Sequence, residues 1–256
     1  EQLDLIYKYQ TAFADWFYFM KSKGKLPVYD AGFIALEKQY LTIGVNGVVE
    51  AAEFLGMKPT YNKEYISWLQ GLLGFIKDKN KEASEKYSKI LGHKLMFNTE
   101  FVPAENLGVK FYDWDKRDGY QVPEERNLYN SYFYAVEDKN ISAIDKIRLH
   151  GRETIEYLDG GSALHLNMQE HLTEDGWKAL LDATAKAGTN YWTYNVRSTV
   201  CNECGYIGKK DLPRCIKCGS DNVDKATRVI GYLRRESNFS KARRIEASKR
   251  FKHKVI

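Results

Sequence analysis

The chain has 256 residues, of which 43% are hydrophobic and 29% charged, enough apolar material for a full globular core and too much for a disordered tail. No apolar run approaches the roughly 20 residues needed to span a bilayer, and the opening Glu1-Gln2-Leu3-Asp4 lacks both halves of a leader peptide, which predicts a soluble, cytoplasmic protein. The net charge of +5 is uneven, because residues 234–256 hold nine Lys/Arg against Glu236 and Glu246 and leave the rest slightly acidic. Such a basic tail can mean nucleic acid, an acidic protein surface or only a solvated helix face. The chain has no initiator Met and opens inside a helical pattern, so it reads as a piece of something longer.

Residues 3–20 place Leu3, Ile6, Phe13, Trp16, Phe17 and Met20 near helical spacing, with Gly24 and Pro27 ending the run. Leu41-Thr-Ile-Gly-Val-Asn-Gly47 predicts a strand or turn that feeds a short buried helix over Val48–Leu55. Asn62 is a natural cap for a long helix to about Leu91, with Ile66, Leu69, Leu73 and Ile76 on one face and an exposed second half. Short apolar segments then read as strands at Leu95–Val102, Tyr129–Val136 and Ala163–Met168, followed by a helix over about Thr173–Ala187 and another strand over Tyr191–Thr199. Strands alternating with helices predict an α/β architecture with a largely parallel sheet. Tyr132, Phe133 and Tyr134 read as core, His165 as a hydrogen-bonded strand residue and His171 as a surface one.

All four cysteines, Cys201, Cys204, Cys215 and Cys218, form two CxxC pairs ten residues apart. Each pair can present two thiolates to one ion, and Gly205 and Gly219 follow where such a turn needs an unusual backbone angle. In a cytosolic chain the spacing favours a four-thiolate zinc site over two disulfides or an iron site, and a closed shell makes the metal structural. Zinc ribbons occur in nucleic-acid binders and enzymes alike, so the motif alone does not choose a function.

Next comes Arg228-Val-Ile-Gly-Tyr-Leu-Arg234 and a helical segment from Asn238 to about Lys252. Gly231 can be no more than a bend in a short apolar strand. It is equally a residue whose Cα–H is readily abstracted, because amide and carbonyl stabilise the planar radical, and its apolar neighbours Val229, Ile230, Tyr232 and Leu233 suit insertion into a protein interior.

The glycine motif directly after CxxC…CxxC resembles the glycyl-radical domain of anaerobic (class III) ribonucleoside-triphosphate reductases. Leu41–Gly47, Glu50-Ala-Ala-Glu-Phe-Leu-Gly56, Asn98-Thr-Glu-Phe-Val-Pro-Ala-Glu-Asn-Leu107, Asn130-Ser-Tyr-Phe-Tyr134 and Tyr157-Leu-Asp-Gly-Gly-Ser-Ala-Leu-His165 resemble the same family, so the likeness covers essentially the whole chain. The resemblance implies the later half of a ten-stranded α/β barrel, a small zinc ribbon and a C-terminal glycyl-radical loop that meets a finger loop inside the barrel. It divides the chain into a half-barrel over 1–199, the ribbon over 200–222 and the radical loop with its basic helix over 223–256.

The resemblance further implies a radical on Gly231, made by an activating enzyme that uses S-adenosylmethionine and an iron-sulfur cluster. Ribonucleoside triphosphates are then the substrate, formate the reductant and a homodimer the complete enzyme. The thiyl cysteine of the family is missing, since every cysteine here is a metal ligand, so an N-terminal half with its finger-loop cysteine is required. Ala104, Glu105, Asn106 and Leu107 open a helix whose free N–H groups can hold substrate phosphate, although a plain strand-to-helix connection fits the same residues and Glu105 would oppose an anion. The alternative from another class is a nucleic-acid-binding zinc-ribbon protein that grips phosphates with the basic segment from Lys241 to Lys254.

Overall fold

The computed structural model describes residues 1–101, 104–229 and 232–254. In chain order, helix α1 (Gln2–Ser22) and the short α2 (Pro27–Asp30) precede strand β1 (Tyr40–Gly44), helix α3 (Val48–Phe54) and the long helix α4 (Lys63–Leu91). Strand β2 (Met96–Phe101), helix α5 (Glu105–Arg117), helices α6 (Ala143–Leu149) and α7 (Arg152–Ile155), strand β3 (Gly161–Met168), helix α8 (Glu174–Ala187) and strand β4 (Tyr191–Val196) follow. Strands β5 (Ser198–Cys201), β6 (Ile207–Gly208), β7 (Val223–Val229) and β8 (Tyr232–Arg235) lead to helix α9 (Lys241–Lys249). None of the described helices is long and apolar enough to cross a membrane.

Strands β1-β2-β3-β4 form one parallel sheet in sequence order, as the alternation of strands and helices predicts. The register gives the sheet two unlike faces. Ile43, Phe97, Thr99, Phe101, Leu164, Leu166 and Tyr194 share the face under the helices: Phe97 packs edge-on to Tyr7 of α1, Thr99 accepts from Asn80 of α4, and Tyr194 shares a hydrogen bond with Thr184 of α8. Thr42, Asn98, Glu100, His165, Asn167, Thr193 and Asn195 share the other. A parallel sheet is normally buried and apolar on both sides, so a polar second face marks an interior built for something other than packing.

Side chains fix the helix ends the sequence announces. Asn62 accepts from the Tyr65 N–H at 2.9 Å and Gly92 closes α4 at φ 73°; Thr173 and Gly188 do the same for α8. The second half of α4 is not simply exposed, because Asn80, Ala83 and Tyr87 continue the buried stripe under a second cluster with Tyr7 and Phe97. In α1 the inward residues are Tyr7 and Thr11, whereas Phe13 and Trp16 of the expected stripe are about half exposed.

Tyr129–Val136 is not a strand. It is an irregular segment, yet Tyr132, Phe133 and Tyr134 are core residues, at most 2% exposed. Its polar groups find scattered partners rather than a ladder: Asn130 Oδ1 accepts from the Val136 N–H, the Tyr65 hydroxyl donates to the Phe133 carbonyl, the Tyr134 hydroxyl donates to the His165 carbonyl of β3, and the Asn130 and Val136 carbonyls accept from the N–H groups of Gly47 and Phe251. Gly108 lets this segment lie on α5, since a Cβ there would meet the Tyr129 carbonyl oxygen at 2.4 Å.

The predicted strand over Tyr191–Thr199 is two strands, β4 in the parallel sheet and β5 in a separate antiparallel sheet of order β6-β5-β7-β8. The second sheet runs from Ser198 to Arg235 and draws strands from all three predicted segments. After it, α9 is shorter than expected, and the chain returns to the first sheet: Phe251 N–H donates to the Val136 carbonyl, and His253 pairs with Asn167 and Gln169 at the end of β3.

Candidate functional site

The two CxxC pairs converge at one end of the antiparallel sheet, the first in the turn between β5 and β6 and the second in the connection that enters β7. Cys201 ends β5 beside Val223 of β7, and the turns after each pair run through Gly205 and Gly219 at φ 70° and 76°. The four sulfurs lie within 4.8 Å of one another, with Cys201–Cys218 at 3.6 Å and Cys204–Cys215 at 3.7 Å. That is far from a disulfide bond of about 2.0 Å. It is close to the edge of about 3.8 Å that four zinc–sulfur bonds of about 2.3 Å impose on a tetrahedron. Burial opposes ionisation of Cys215, but the N–H groups of Cys218 and Lys217 outweigh it and draw the thiol down to about 7. Four cysteines are therefore arranged to hold one metal ion.

Beyond the cluster β7 and β8 pair antiparallel, Val229 against Tyr232. Gly231 falls between them, outside the described residues. Its neighbours Tyr232 and Leu233 are 71% and 49% exposed. Arg197, which follows β4, ties the two sheets together by bonding Asp211 at 3.0 Å and Glu236 just past β8.

The other candidate residues sit at the carboxyl end of β2. Helix α5 begins at Glu105 with Ala104 as its first flanking residue and no side-chain cap, which leaves its opening N–H groups free to meet an anion. The Ala104 N–H is taken, donating to Ser131 Oγ at 3.0 Å, and Asn46 Nδ2 donates to the same oxygen at 2.7 Å. Asn106 and Leu107 are exposed, and Asn106 Oδ1 accepts from Ser240, the cap of α9, at 3.1 Å. Helix α9 packs on α5, so the segment that begins eight residues before Ser240, at Tyr232, is anchored beside the helix N-terminus.

A family model of anaerobic ribonucleoside-triphosphate reductase matches residues 1–253. This chain belongs to that family. Among solved structures, an anaerobic ribonucleotide reductase superposes with a TM-score of 0.87 at 29% identity, covering 100% of this chain and 40% of its own. The Thermotoga maritima anaerobic ribonucleotide reductase in complex with dATP and CTP gives 0.81 at 29% identity, covering 96% of this chain and 40% of its own. The same enzyme with glycerol in its active site gives 0.80 at 29% identity, covering 96% and 39%. This chain thus spans about two fifths of the reductases it matches. Membership favours the enzyme reading over a nucleic-acid-binding ribbon.

Sequence reasoning missed two features of this member of the reductase family. The first is a clamp around Arg126: its Nη1 donates to Glu50 at 2.6 Å and to Glu53 at 2.9 Å, Nη2 donates to Glu53 at 2.9 Å, and Nε donates to Glu137 at 2.6 Å. Glu50 also accepts from the Asn130 backbone and side chain, which fixes the entry of the segment bearing Ser131. The spacing of Glu50 and Glu53 on one short helix was the available signal. The second is the polar sheet face, where Asn98 Oδ1, both His165 ring nitrogens and Asn195 Oδ1 are buried without a hydrogen-bond partner among the described residues. His165 is therefore a strand residue as expected, but its ring is not hydrogen-bonded. Burial, assisted by the nearby Arg250 charge, pushes it down to about 4 and keeps it neutral.

Proposed function

We propose that this chain is the radical-bearing C-terminal part of an anaerobic ribonucleoside-triphosphate reductase, with Gly231 as the residue that stores the radical. The observation that carries the reading is the continuity of one small sheet: β5 and β7 bear on the four-cysteine cluster, and β7 and β8 bracket Gly231. Cys201, Cys204, Cys215 and Cys218 would hold a structural zinc, whose bound form locks the sheet and leaves no coordination position for substrate. The four parallel strands with their polar face would supply four of the five strands of the later half of a ten-stranded barrel over residues 1–199. The ribbon would occupy 200–222 and the radical loop with its basic helix 223–256.

Gly231 would lose its Cα hydrogen to an activating enzyme that uses S-adenosylmethionine and an iron-sulfur cluster. The resulting glycyl centre would take a hydrogen atom from a finger-loop thiol, and that sulfur would take the 3′ hydrogen of a ribonucleoside triphosphate. The 2′ hydroxyl then leaves as water, with formate supplying two electrons and departing as carbon dioxide. The free N–H groups of Glu105, Asn106 and Leu107 would hold substrate phosphate beside Ala104, which Ser131 keeps in position. The thiol is not in this sequence, whose only cysteines are the four of the cluster. An N-terminal half must bring it, and a homodimer of the completed enzyme is expected.

The test is reconstitution. The 256-residue chain with activating enzyme, S-adenosylmethionine, reductant and formate is expected to give no deoxyribonucleotide. Adding a first half with its finger cysteine restores turnover. Reduction by the chain alone contradicts the division of labour.

A further inference from the structure

Helix α1 has two apolar faces. One, through Tyr7, Thr11, Ala14 and Tyr18, turns to the core, with Tyr7 Oη donating to the buried Asn80 at 2.7 Å. The opposite face carries Ile6, Tyr9, Phe13, Trp16 and Met20, at successive intervals of three and four residues. Tyr9 is 70% exposed, Phe13 56% and Trp16 50%, and the exposed Leu5 and Phe19 flank them. Phe17 meets Tyr29, which folds the next segment back against α1 and brings the exposed Val28 and Phe33 to the same end.

The 3-4-3-4 spacing keeps one seam on one side of a helix for about 21 Å, taking about 1.5 Å per residue from Ile6 to Met20. Such a seam packs a second helix at a shallow crossing angle; a strand or a loop would match only part of it. No charged residue interrupts it, so its partner surface is also apolar.

We infer that this face of α1 receives an apolar helix from the part of the reductase polypeptide that lies beyond this chain's two fifths, an inference that rests on the proposed division of labour. All of this chain superposes on a reductase of which it covers 40%, so more than half of that molecule lies outside the matched part. A segment held to the same enzyme reaches the seam at far higher effective concentration than a free second copy does.

The experiment places the photo-crosslinking residue p-benzoylphenylalanine at Tyr9 or Phe13 in the reductase purified from its source through this chain. After irradiation, digestion and mass spectrometry, a crosslink to a reductase peptide outside residues 1–256 is expected. A crosslink to residues of this chain identifies a second copy and overturns the inference, as does an assembled reductase giving no crosslink from either position. A purified enzyme containing nothing beyond residues 1–256 sinks the division of labour itself, a different failure. The paired variant Phe13→Asp/Trp16→Asp should weaken association with the remaining part on the order of 100-fold, with circular dichroism unchanged because both side chains are exposed; unchanged association overturns the inference as well.

Discussion

Replacing Arg126 by Leu tests the clamp that positions the segment over α5. Of its three carboxylate partners, the side chains of Glu53 and Glu137 are 37% and 34% exposed and regain water when the guanidinium goes, whereas that of Glu50 is 6% exposed. The exposed pairs contribute at most about 1 kcal/mol each. The buried carboxylate is the larger loss, because an uncompensated buried charge costs about 3–5 kcal/mol. Burial already raises the Glu50 pKa despite Arg126 and the Asn130 hydrogen bonds, and without the guanidinium it rises further. A carboxyl whose folded pKa exceeds its unfolded value contributes stability that is full below the unfolded value and lost as pH rises through the folded one. The deficit of Arg126→Leu should therefore be largest at neutral pH and shrink towards pH 5. Urea denaturation measures it, and Glu50→Gln in the same background should recover part of the loss, since the amide oxygen can still accept from the Asn130 N–H. A loss below about 1 kcal/mol at pH 7, or one independent of pH, would refute this account of the clamp.

Three further outcomes are expected. Metal-purified protein should contain one zinc per chain, and Cys204→Ser should lose it and lower the yield of glycyl radical more than it lowers overall helicity; zinc-free protein with an ordered 198–235 sheet contradicts the metal assignment. Burial and the neighbouring His165 push His150 down to about 3, and burial holds His165 near 4. Their contribution to stability is full above the unfolded value of about 6.5 and falls with pH below it, by about 2 kcal/mol per histidine at pH 5; urea midpoints equal at pH 7.5 and 5 would contradict this. Ser131→Ala removes the acceptor shared by Ala104 N–H and Asn46, and in the assembled enzyme should raise KM for nucleotide more than it lowers kcat, the reverse pattern arguing against the phosphate site.

What the sequence made legible was whatever is encoded locally. Asn62 announces the start of α4 because capping chemistry acts within a few residues, and CxxC spacing announces a metal cluster for the same reason. The 129–136 segment was misread because its apolar run has the composition of a buried strand, while its backbone is satisfied by the Asn130 and Tyr65 side chains and by scattered backbone partners such as Gly108, Gly47 and Phe251. No periodicity records that. In α1 the spacing announced a helix without naming its inward side, since either apolar face could meet the core and Asn80, far along the chain, decides it. The polar face of the parallel sheet becomes visible only with the strand register, which sets Thr193 beside His165 and Asn195 beside Asn167.

The central claim is that Gly231 stores the radical. Anaerobic treatment of the assembled reductase with its activating enzyme, S-adenosylmethionine and reductant, followed by electron paramagnetic resonance, addresses it directly. The account predicts a doublet from coupling to the one remaining Cα hydrogen, abolished by Gly231→Ala and replaced, after exposure to air, by a chain cleaved at residue 231. A doublet that survives Gly231→Ala, or cleavage at Gly161 or Gly219 instead, would contradict it.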